Sequence, residues 1–182
     1  MPKRNPHSQG YTLFELIIVI GIIAVLSVAG LTGIIKTQGI LKFRGAVKDT
    51  ANIIREARSA ALSNRKLTET EAPNQYGALI KTDGTITIFA DDKEFNTYTL
   101  PDTYTYTFIN LEEPSTDEMT LFYEPTTAKF SIKELAEDQM YGAIEIYEGT
   151  IDAPTRKSYI VLFKNAGSPE TFTSLDEIPG SK

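Results

Sequence analysis

The chain has 182 residues, a formal net charge of −6, no cysteine, and a single histidine, His7. Without cysteine it cannot form a disulfide or use a cysteine nucleophile. Because its one histidine lies near the amino terminus, the rest of the chain has no histidine-based triad and no ordinary zinc site.

An apolar stretch near the amino terminus is directly preceded by a carboxylate. The stretch runs from Leu16 to Ile35 without a charged residue. As a helix it would cover about 30 Å, the thickness of the hydrocarbon part of a bilayer. The stretch therefore predicts a single membrane span. Glu15 stands at its start, and an ionisable side chain at such a position indicates a function because placing a charge in lipid is costly.

Three interpretations of this region differ in where the chain is cut. The first is a secretory signal peptide cut after Ala29, since residues 27–29 read Ser-Val-Ala. The second is a plain single-pass anchor, and the third is a cut after Gly10 that makes Tyr11 the new amino terminus. Only the third gives Glu15 a role, because a terminal amine is a cation that a carboxylate neutralises at low dielectric.

Residues 10–16 read Gly-Tyr-Thr-Leu-Phe-Glu-Leu and lead directly into the apolar stretch. This pattern resembles the leader of type IV pilins and type II secretion pseudopilins. The resemblance implies that a prepilin peptidase cuts after Gly10, that the amine of Tyr11 is then methylated, and that Glu15 meets the amine of a neighbouring subunit. The partners it implies are other pilin or pseudopilin subunits, the inner-membrane assembly machinery and membrane lipid. It implies no cofactor.

The chain departs from the family pattern at two positions. Tyr11 replaces the usual phenylalanine, and Thr32 stands where many major pilins carry a proline that kinks the helix. Gly30 and Gly33 flank Thr32. These glycines either weaken the helix or let helices pack closely through small residues, and the sequence leaves both roles open.

The orientation in the membrane is a point of conflict. By cation count alone the carboxyl side of the span is cytoplasmic. The family resemblance implies the opposite, with the leader in the cytoplasm and the rest of the chain outside the inner membrane. The flanking cations are Lys3 and Arg4 before the span, and Lys36, Lys42, Arg44 and Lys48 after it.

The leader is residues 1–10, and one long helix is predicted to follow it. Its first half, residues 11–35, is the transmembrane and assembly half, and its second half, residues 36–66, is amphipathic. No proline occurs between Pro6 and Pro73, so one continuous helix is expected. Its apolar residues recur at a spacing of three or four and need a sheet to cover them. This stripe consists of Ile40, Phe43, Val47, Ile54, Ala57 and Ala61.

Residues 67–182 change to the alternating pattern of strands and predict a β-rich globular domain. The expected fold class is α+β, a long amino-terminal helix packed on an antiparallel sheet, as in pilins. A tight turn at Thr82-Asp83-Gly84 predicts a hairpin, and the tail from Ala166 to Lys182 is expected to be loosely attached. The predicted strands are residues 76–81, 85–90, 97–100, 103–109, 119–123, 128–132, 142–147 and 158–164.

Charge is unevenly distributed along the chain. Residues 11–66 carry eight Lys or Arg against three acids, a balance of +5, whereas residues 67–182 carry eight against twenty-one, a balance of −13. The acidic domain argues against nucleic-acid binding, which requires Lys and Arg at phosphates.

The acidic pairs 91–92, 112–113 and 117–118 could serve glycoside hydrolysis or hold calcium, but they have no EF-hand spacing and are typical of a solvated surface. The sequence therefore predicts a protein that is not an enzyme.

The end of the helical region carries a second resemblance. Arg58-Ser59-Ala60-Ala61, followed by Tyr76-Gly77, is similar to the H-type (FimT-like) minor pseudopilins. The chain also lacks the cysteines that form the carboxyl-terminal disulfide loop of many major pilins. Both features favour a minor subunit or pseudopilin, in either a type IV pilus or a type II secretion system.

Overall fold

The computed structural model describes residues 11–64, 72–111, 117–135, 139–150, 152–164 and 166–179, with the side chains of residues 28–33 outside the description. The chain divides into two compact units, Met1–Lys42 and Phe43–Lys182. A single helix, α1 (Leu13–Leu62), precedes the strands. The strands are β1 (Tyr76–Lys81), β2 (Thr85–Ala90), β3 (Lys93–Thr99), β4 (Thr105–Ile109), β5 (Glu118–Tyr123), β6 (Phe130–Ile132), β7 (Tyr141–Thr150), β8 (Ala153–Phe163) and β9 (Glu170–Phe172).

The amino-terminal unit contributes the first part of α1, whose apolar side chains are exposed. Within the part of the chain that the structure describes, no helix meets the length and hydropathy expected of a membrane span. The span from Leu16 to Ile35 therefore stays a prediction. Its exposed large apolar side chains include Leu16, Ile17, Ile18, Val19, Ile20, Ile22, Ile23, Val25, Leu26, Ile34 and Ile35.

In the carboxyl-terminal unit, one side of α1 is buried as its periodicity predicts. Phe43, Val47, Ile54, Ala57 and Ala61 all belong to the main core. Their spacing of three, four or seven residues keeps them on one side of a helix with 3.6 residues per turn.

The predicted stripe differs from the buried one at its first member, Ile40. This residue belongs to the amino-terminal unit and is 40% exposed, so the buried stripe begins at Phe43. The helix ends at Leu62, four residues before the predicted end at Lys66. Asn64 follows with a φ of 46°, a left-handed conformation that asparagine tolerates and that stops a helix.

Nine strands of the described residues form two antiparallel sheets, where the sequence predicted one. Sheet A has the strand order β3-β2-β1-β5-β6, and sheet B has the order β4-β7-β8-β9. Pro101 interrupts the chain between β3 and β4, and β4 then pairs with β7. The α+β fold class, a helix packed on antiparallel strands, is confirmed.

The main core lies between α1 and the inner faces of both sheets. Sheet A contributes Tyr76, Ala78 and Ile80 of β1 at alternating positions, as a strand with one buried face requires. Sheet B contributes Ile144 and Ile160, which lie opposite each other on β7 and β8. Both sheets therefore share one core with the helix stripe.

The β1–β2 hairpin is confirmed at the predicted turn. Gly84 has a φ of +83°, which glycine adopts without strain. The Asp83 carboxylate accepts a hydrogen bond from the Thr85 backbone N–H at 2.7 Å, and this bond raises the stability of the ionised form, so the pKa of Asp83 lies below its usual value. Local turn chemistry thus explains why this hairpin was predictable.

The carboxyl-terminal segment is ordered against sheet B, so the expectation of a loose tail is wrong for its described part. β9 pairs with β8, and Ile178 is 2% exposed in a second apolar cluster on the outer face of sheet B. The backbone carbonyl of Pro169 also accepts a hydrogen bond from Arg55 of α1 at 3.0 Å. Phe172 and Ile178 supply the apolar surface that attaches this segment.

Gly77 of β1 is a position where a side chain cannot be added freely. A Cβ there would lie 2.2 Å from Cζ of Phe89 and 2.6 Å from the carbonyl oxygen of Leu121. We expect Gly77→Ala to reduce the free energy of unfolding by about 1–3 kcal/mol because it overpacks the sheet.

The matched control is Gly45→Ala in α1, where a Cβ meets nothing within 4 Å. That change should stabilise by about 0.5–1 kcal/mol. Denaturant unfolding of both full-length variants in detergent measures the difference, and equal effects would contradict the close contact at Gly77.

Candidate functional site

Glu15 lies in the first turn of α1, where it forms a reciprocal capping box with Thr12. The Thr12 Oγ1 accepts a hydrogen bond from the Glu15 backbone N–H at 3.2 Å. In return, Glu15 Oε2 accepts from the Thr12 backbone N–H and from the Thr12 hydroxyl, each at 3.0 Å. This is the Ser/Thr-x-x-Glu arrangement that satisfies two backbone N–H groups at a helix start.

The capping box sets where the helix begins. The first helical residue is Leu13, two positions after Tyr11, the residue that a cut after Gly10 would expose. A carboxylate in the first turn is also favourable because the amino-terminal end of a helix carries partial positive charge. Thr12 is a residue of the site that the sequence interpretation missed, although the Thr-x-x-Glu signature is readable in the sequence.

Only one oxygen of Glu15 takes part in the capping box. Both bonds from Thr12 end on Oε2, and Oε1 accepts no hydrogen bond from any residue of the described ranges. The side chain is exposed in the single chain. A carboxylate has lone pairs for several donors, so Oε1 can accept from an external amine while Oε2 holds the cap.

The other predicted site residues fall partly outside the description. Gly10, the last residue of the predicted leader, lies outside the described residues. The backbone of Gly30, Thr32 and Gly33 belongs to α1, so no break of the helix is seen there, while their side chains lie outside the description. The proposed packing or flexibility of these three residues therefore stays a prediction.

Ser27, one of the few polar residues of the apolar stretch, uses its hydroxyl within the helix. Its Oγ donates to the backbone carbonyl of Ile23 at 2.7 Å. A serine that bonds to the carbonyl four residues earlier presents no free donor to an apolar medium. The apolar character of the stretch is thus less interrupted than the sequence indicates.

The two acidic pairs that the structure describes, 91–92 and 117–118, lie at opposite ends of the strands of sheet A. Across the described residues, no three His, Cys, Asp or Glu side chains come together as metal ligands. The Asp91 carboxylate instead accepts hydrogen bonds from the backbone N–H groups of Asn74 and Gln75. Asp117 and Glu118 are exposed at the start of β5, and the pair 112–113 lies outside the description. Asp91 therefore has a structural role.

Arg58, from the segment that is similar to H-type pseudopilins, faces the core near Tyr123. Its Nε and the Tyr123 hydroxyl are both buried and have no hydrogen-bond partner among the described residues. Burial raises the pKa of Tyr123 above its usual range, and the Arg58 guanidinium opposes this shift. Both groups lie between α1 and sheet A.

Comparison with known proteins finds one match, at the amino terminus. Residues 5–31 match the family model described as the prokaryotic N-terminal methylation motif. Searches of the curated proteins and of the solved structures find no significant match. The matched segment contains the predicted cut after Gly10, the capped Glu15 and most of the apolar stretch. With the α+β fold, the methylation motif supports a precursor of the type IV pilin-like class.

Proposed function

We propose that the chain is a prepilin-like structural subunit, cut after Gly10 and assembled through its amino-terminal helix into a type IV pilus or a type II secretion pseudopilus. The observation that carries this proposal is the capped Glu15, which keeps one carboxylate oxygen available, inside a segment that matches the N-terminal methylation motif. The subunit acts by association and not by catalysis.

The proposed mechanism joins the cut to assembly. Cleavage after Gly10 creates an amine on Tyr11, four residues before Glu15. Methylation of this amine keeps it basic, so it carries a positive charge near neutral pH. Glu15 Oε1 of one subunit accepts the amine of an incoming subunit, and the pair is strong because lipid has a low dielectric constant. Thr12 holds the carboxylate at the helix start throughout.

The proposed location follows from the same segment. The helix from Leu16 to Ile35 inserts in the inner membrane with its apolar side chains against lipid, and the β-rich domain lies outside the cytoplasm. The partners are the prepilin peptidase, other pilin or pseudopilin subunits, and the inner-membrane assembly machinery. During assembly, the exposed apolar side chains of the helix exchange lipid for neighbouring helices.

We further assign the chain to the minor subunits. The absence of cysteine and the similarity of residues 58–61 to H-type pseudopilins support this assignment. Co-purification distinguishes the two machines: the tagged protein should be recovered either with secretion-system components or with extended pili. If the protein is recovered in an amount comparable to that of the main shaft subunit, a minor role is contradicted.

Processing is the most direct consequence of the proposal. We expect Gly10→Val to abolish the cut by a prepilin peptidase, because a branched side chain replaces the residue that the enzyme recognises. Co-expression of the full chain with such a peptidase, followed by intact mass measurement, reads out the loss of ten residues. The matched control is Ala29→Val, which removes the small residue that an ordinary signal peptidase requires. Processing that survives Gly10→Val but fails in Ala29→Val would show an ordinary signal peptide, and would favour the alternative function of a conventionally secreted binding module. A chain that stays uncut in every variant would favour the same module held by a plain membrane anchor.

A further inference from the structure

The outer face of sheet A carries an apolar ridge that belongs to neither core cluster. Leu79 of β1, Phe89 of β2 and Phe122 of β5 point away from α1 and are only half-buried. Gly77 pairs directly with both phenylalanines. Since Gly77 has no side chain, the two rings meet edge to face above it, with their centroids 5.8 Å apart.

An open pocket of about 640 Å³ lies beside the two rings. One of its acids, Asp91, is fixed by bonds from the Asn74 and Gln75 backbone N–H groups at 3.0 and 3.1 Å. The other, Asp92, is exposed and makes no hydrogen bond or ion pair with a described residue. Aromatic faces beside carboxylates suit a guanidinium, which stacks on rings and donates to oxygen. The pocket is lined by Asn74, Gln75, Phe89, Asp91, Asp92 and Phe122.

The exposed side of α1 in the same unit carries the opposite charge. Arg44, Lys48 and Arg55 are exposed and follow one another at intervals of four and seven residues, which places them on one side of the helix. Arg55 already donates to Asn52 and to the carbonyl of Pro169. Arg44 and Lys48 form no ion pair within the described ranges, so Arg44 is the guanidinium that remains available.

The pocket and the basic side of the helix are two different surfaces of the carboxyl-terminal unit. The buried stripe of α1 and the inner face of sheet A share one core, so the exposed side of α1 and the outer face of sheet A both point away from that core. A contact between two different surfaces of identical chains is heterologous. If its rotation does not close a ring, such a contact repeats into an open filament.

We propose that the outer face of sheet A receives the basic side of α1 from a second copy of this chain, with the Arg44 guanidinium seated between Asp92 and the Phe89–Phe122 pair. The inference rests on the proposed function, because it specifies which surfaces meet in the assembly. Charge complementarity supports it: residues 11–66 have a balance of +5, and residues 67–182 have a balance of −13.

Disulfide cross-linking tests this contact, because the chain contains no cysteine of its own. Two differently tagged full-length copies are co-expressed with the assembly machinery, one with Lys48→Cys and one with Thr87→Cys on the outer face of sheet A. Oxidation should give a dimer that carries both tags. The negative control replaces Thr87→Cys by Lys164→Cys, an exposed position just after β8 of sheet B. Equal cross-linking to both positions would overturn the proposal.

Charge reversal tests the specific pairing. Arg44→Glu in the copy with Lys48→Cys should lower the cross-linked fraction by roughly tenfold, as expected when like charges face each other across an interface. Asp92→Arg in the copy with Thr87→Cys should restore a large part of the loss, because the double change recovers opposite charges. A fraction that is insensitive to Arg44→Glu, or a loss that Asp92→Arg deepens, would overturn the pairing.

A filament assay separates failure of this inference from failure of the proposed function. The fraction of the tagged copies in sheared filaments, relative to that in membranes, reports whether the subunit assembles at all. If the copies enter filaments but the pair Lys48→Cys and Thr87→Cys does not cross-link, only the sheet A contact is wrong. If the copies do not enter filaments, the proposed function and this contact are both overturned. If Thr87→Cys cross-links only to a different protein, the partner on the outer face of sheet A is not a second copy of this chain, and the proposal is overturned.

Discussion

Glu15→Ala is expected to block incorporation of the subunit into filaments while leaving membrane insertion intact or improved. Insertion should not suffer, because the change removes a charge that is costly in lipid. Incorporation should fall by at least about tenfold, because an incoming amine would be left without its counter-charge in a medium of low dielectric. The fraction of the subunit in sheared or purified filaments, relative to that in membranes, measures the effect.

Two further variants separate the charge of Glu15 from its role as a helix cap. Glu15→Gln keeps a side chain that can complete the capping box with Thr12 but removes the negative charge. Thr12→Ala removes the partner in the cap and keeps the charge. Incorporation should fail in Glu15→Gln and be reduced less in Thr12→Ala. Normal incorporation of Glu15→Gln would show that Glu15 serves only to cap the helix.

Ile54→Ala is expected to have the largest effect on the stability of the carboxyl-terminal unit. Ile54 is 0% exposed and lies in the middle of the helix stripe that both sheets cover. Truncation to alanine removes buried methyl groups and leaves a cavity, which costs about 2–5 kcal/mol of unfolding free energy. Denaturant unfolding of the full-length chain in detergent gives this value.

The matched control is Leu62→Ala at the end of the same helix. Leu62 is 49% exposed, so its truncation should change the free energy of unfolding by no more than about 0.5 kcal/mol. Similar losses in both variants would indicate that the two sides of α1 are equally covered. Such a result would contradict the packing of sheets A and B on the Ile54 side.

Elements with a local cause were predictable from the sequence. The buried side of α1 follows from the spacing of its apolar residues, and the β1–β2 hairpin follows from Asp83 and Gly84. The division into two sheets did not follow, because it depends on β4 pairing with β7, more than thirty residues along the chain. β9 was missed because it has only three residues, and pairing with β8 rather than its own pattern defines it.

The candidate site shows the same division between local and distant causes. Glu15 was identified from a charge beside an apolar run, and its bonds to Thr12 span only three residues. The ridge of Phe89 and Phe122 was not identifiable in this way. Both residues alternate outward on their own strands, but their meeting above Gly77 requires the register of three strands. Sequence alone shows two outward phenylalanines and not a shared surface.

The identity of the first residue of the mature protein tests the central claim most directly. The chain, expressed with a prepilin peptidase and its methylating activity and then recovered from membranes, should begin at a methylated Tyr11 when its amino-terminal peptide is sequenced by mass spectrometry. An amino terminus at Gly30 would show that an ordinary signal peptide had been removed. An uncut leader under these conditions would equally contradict the account, because Glu15 would then have no amine of Tyr11 to bind.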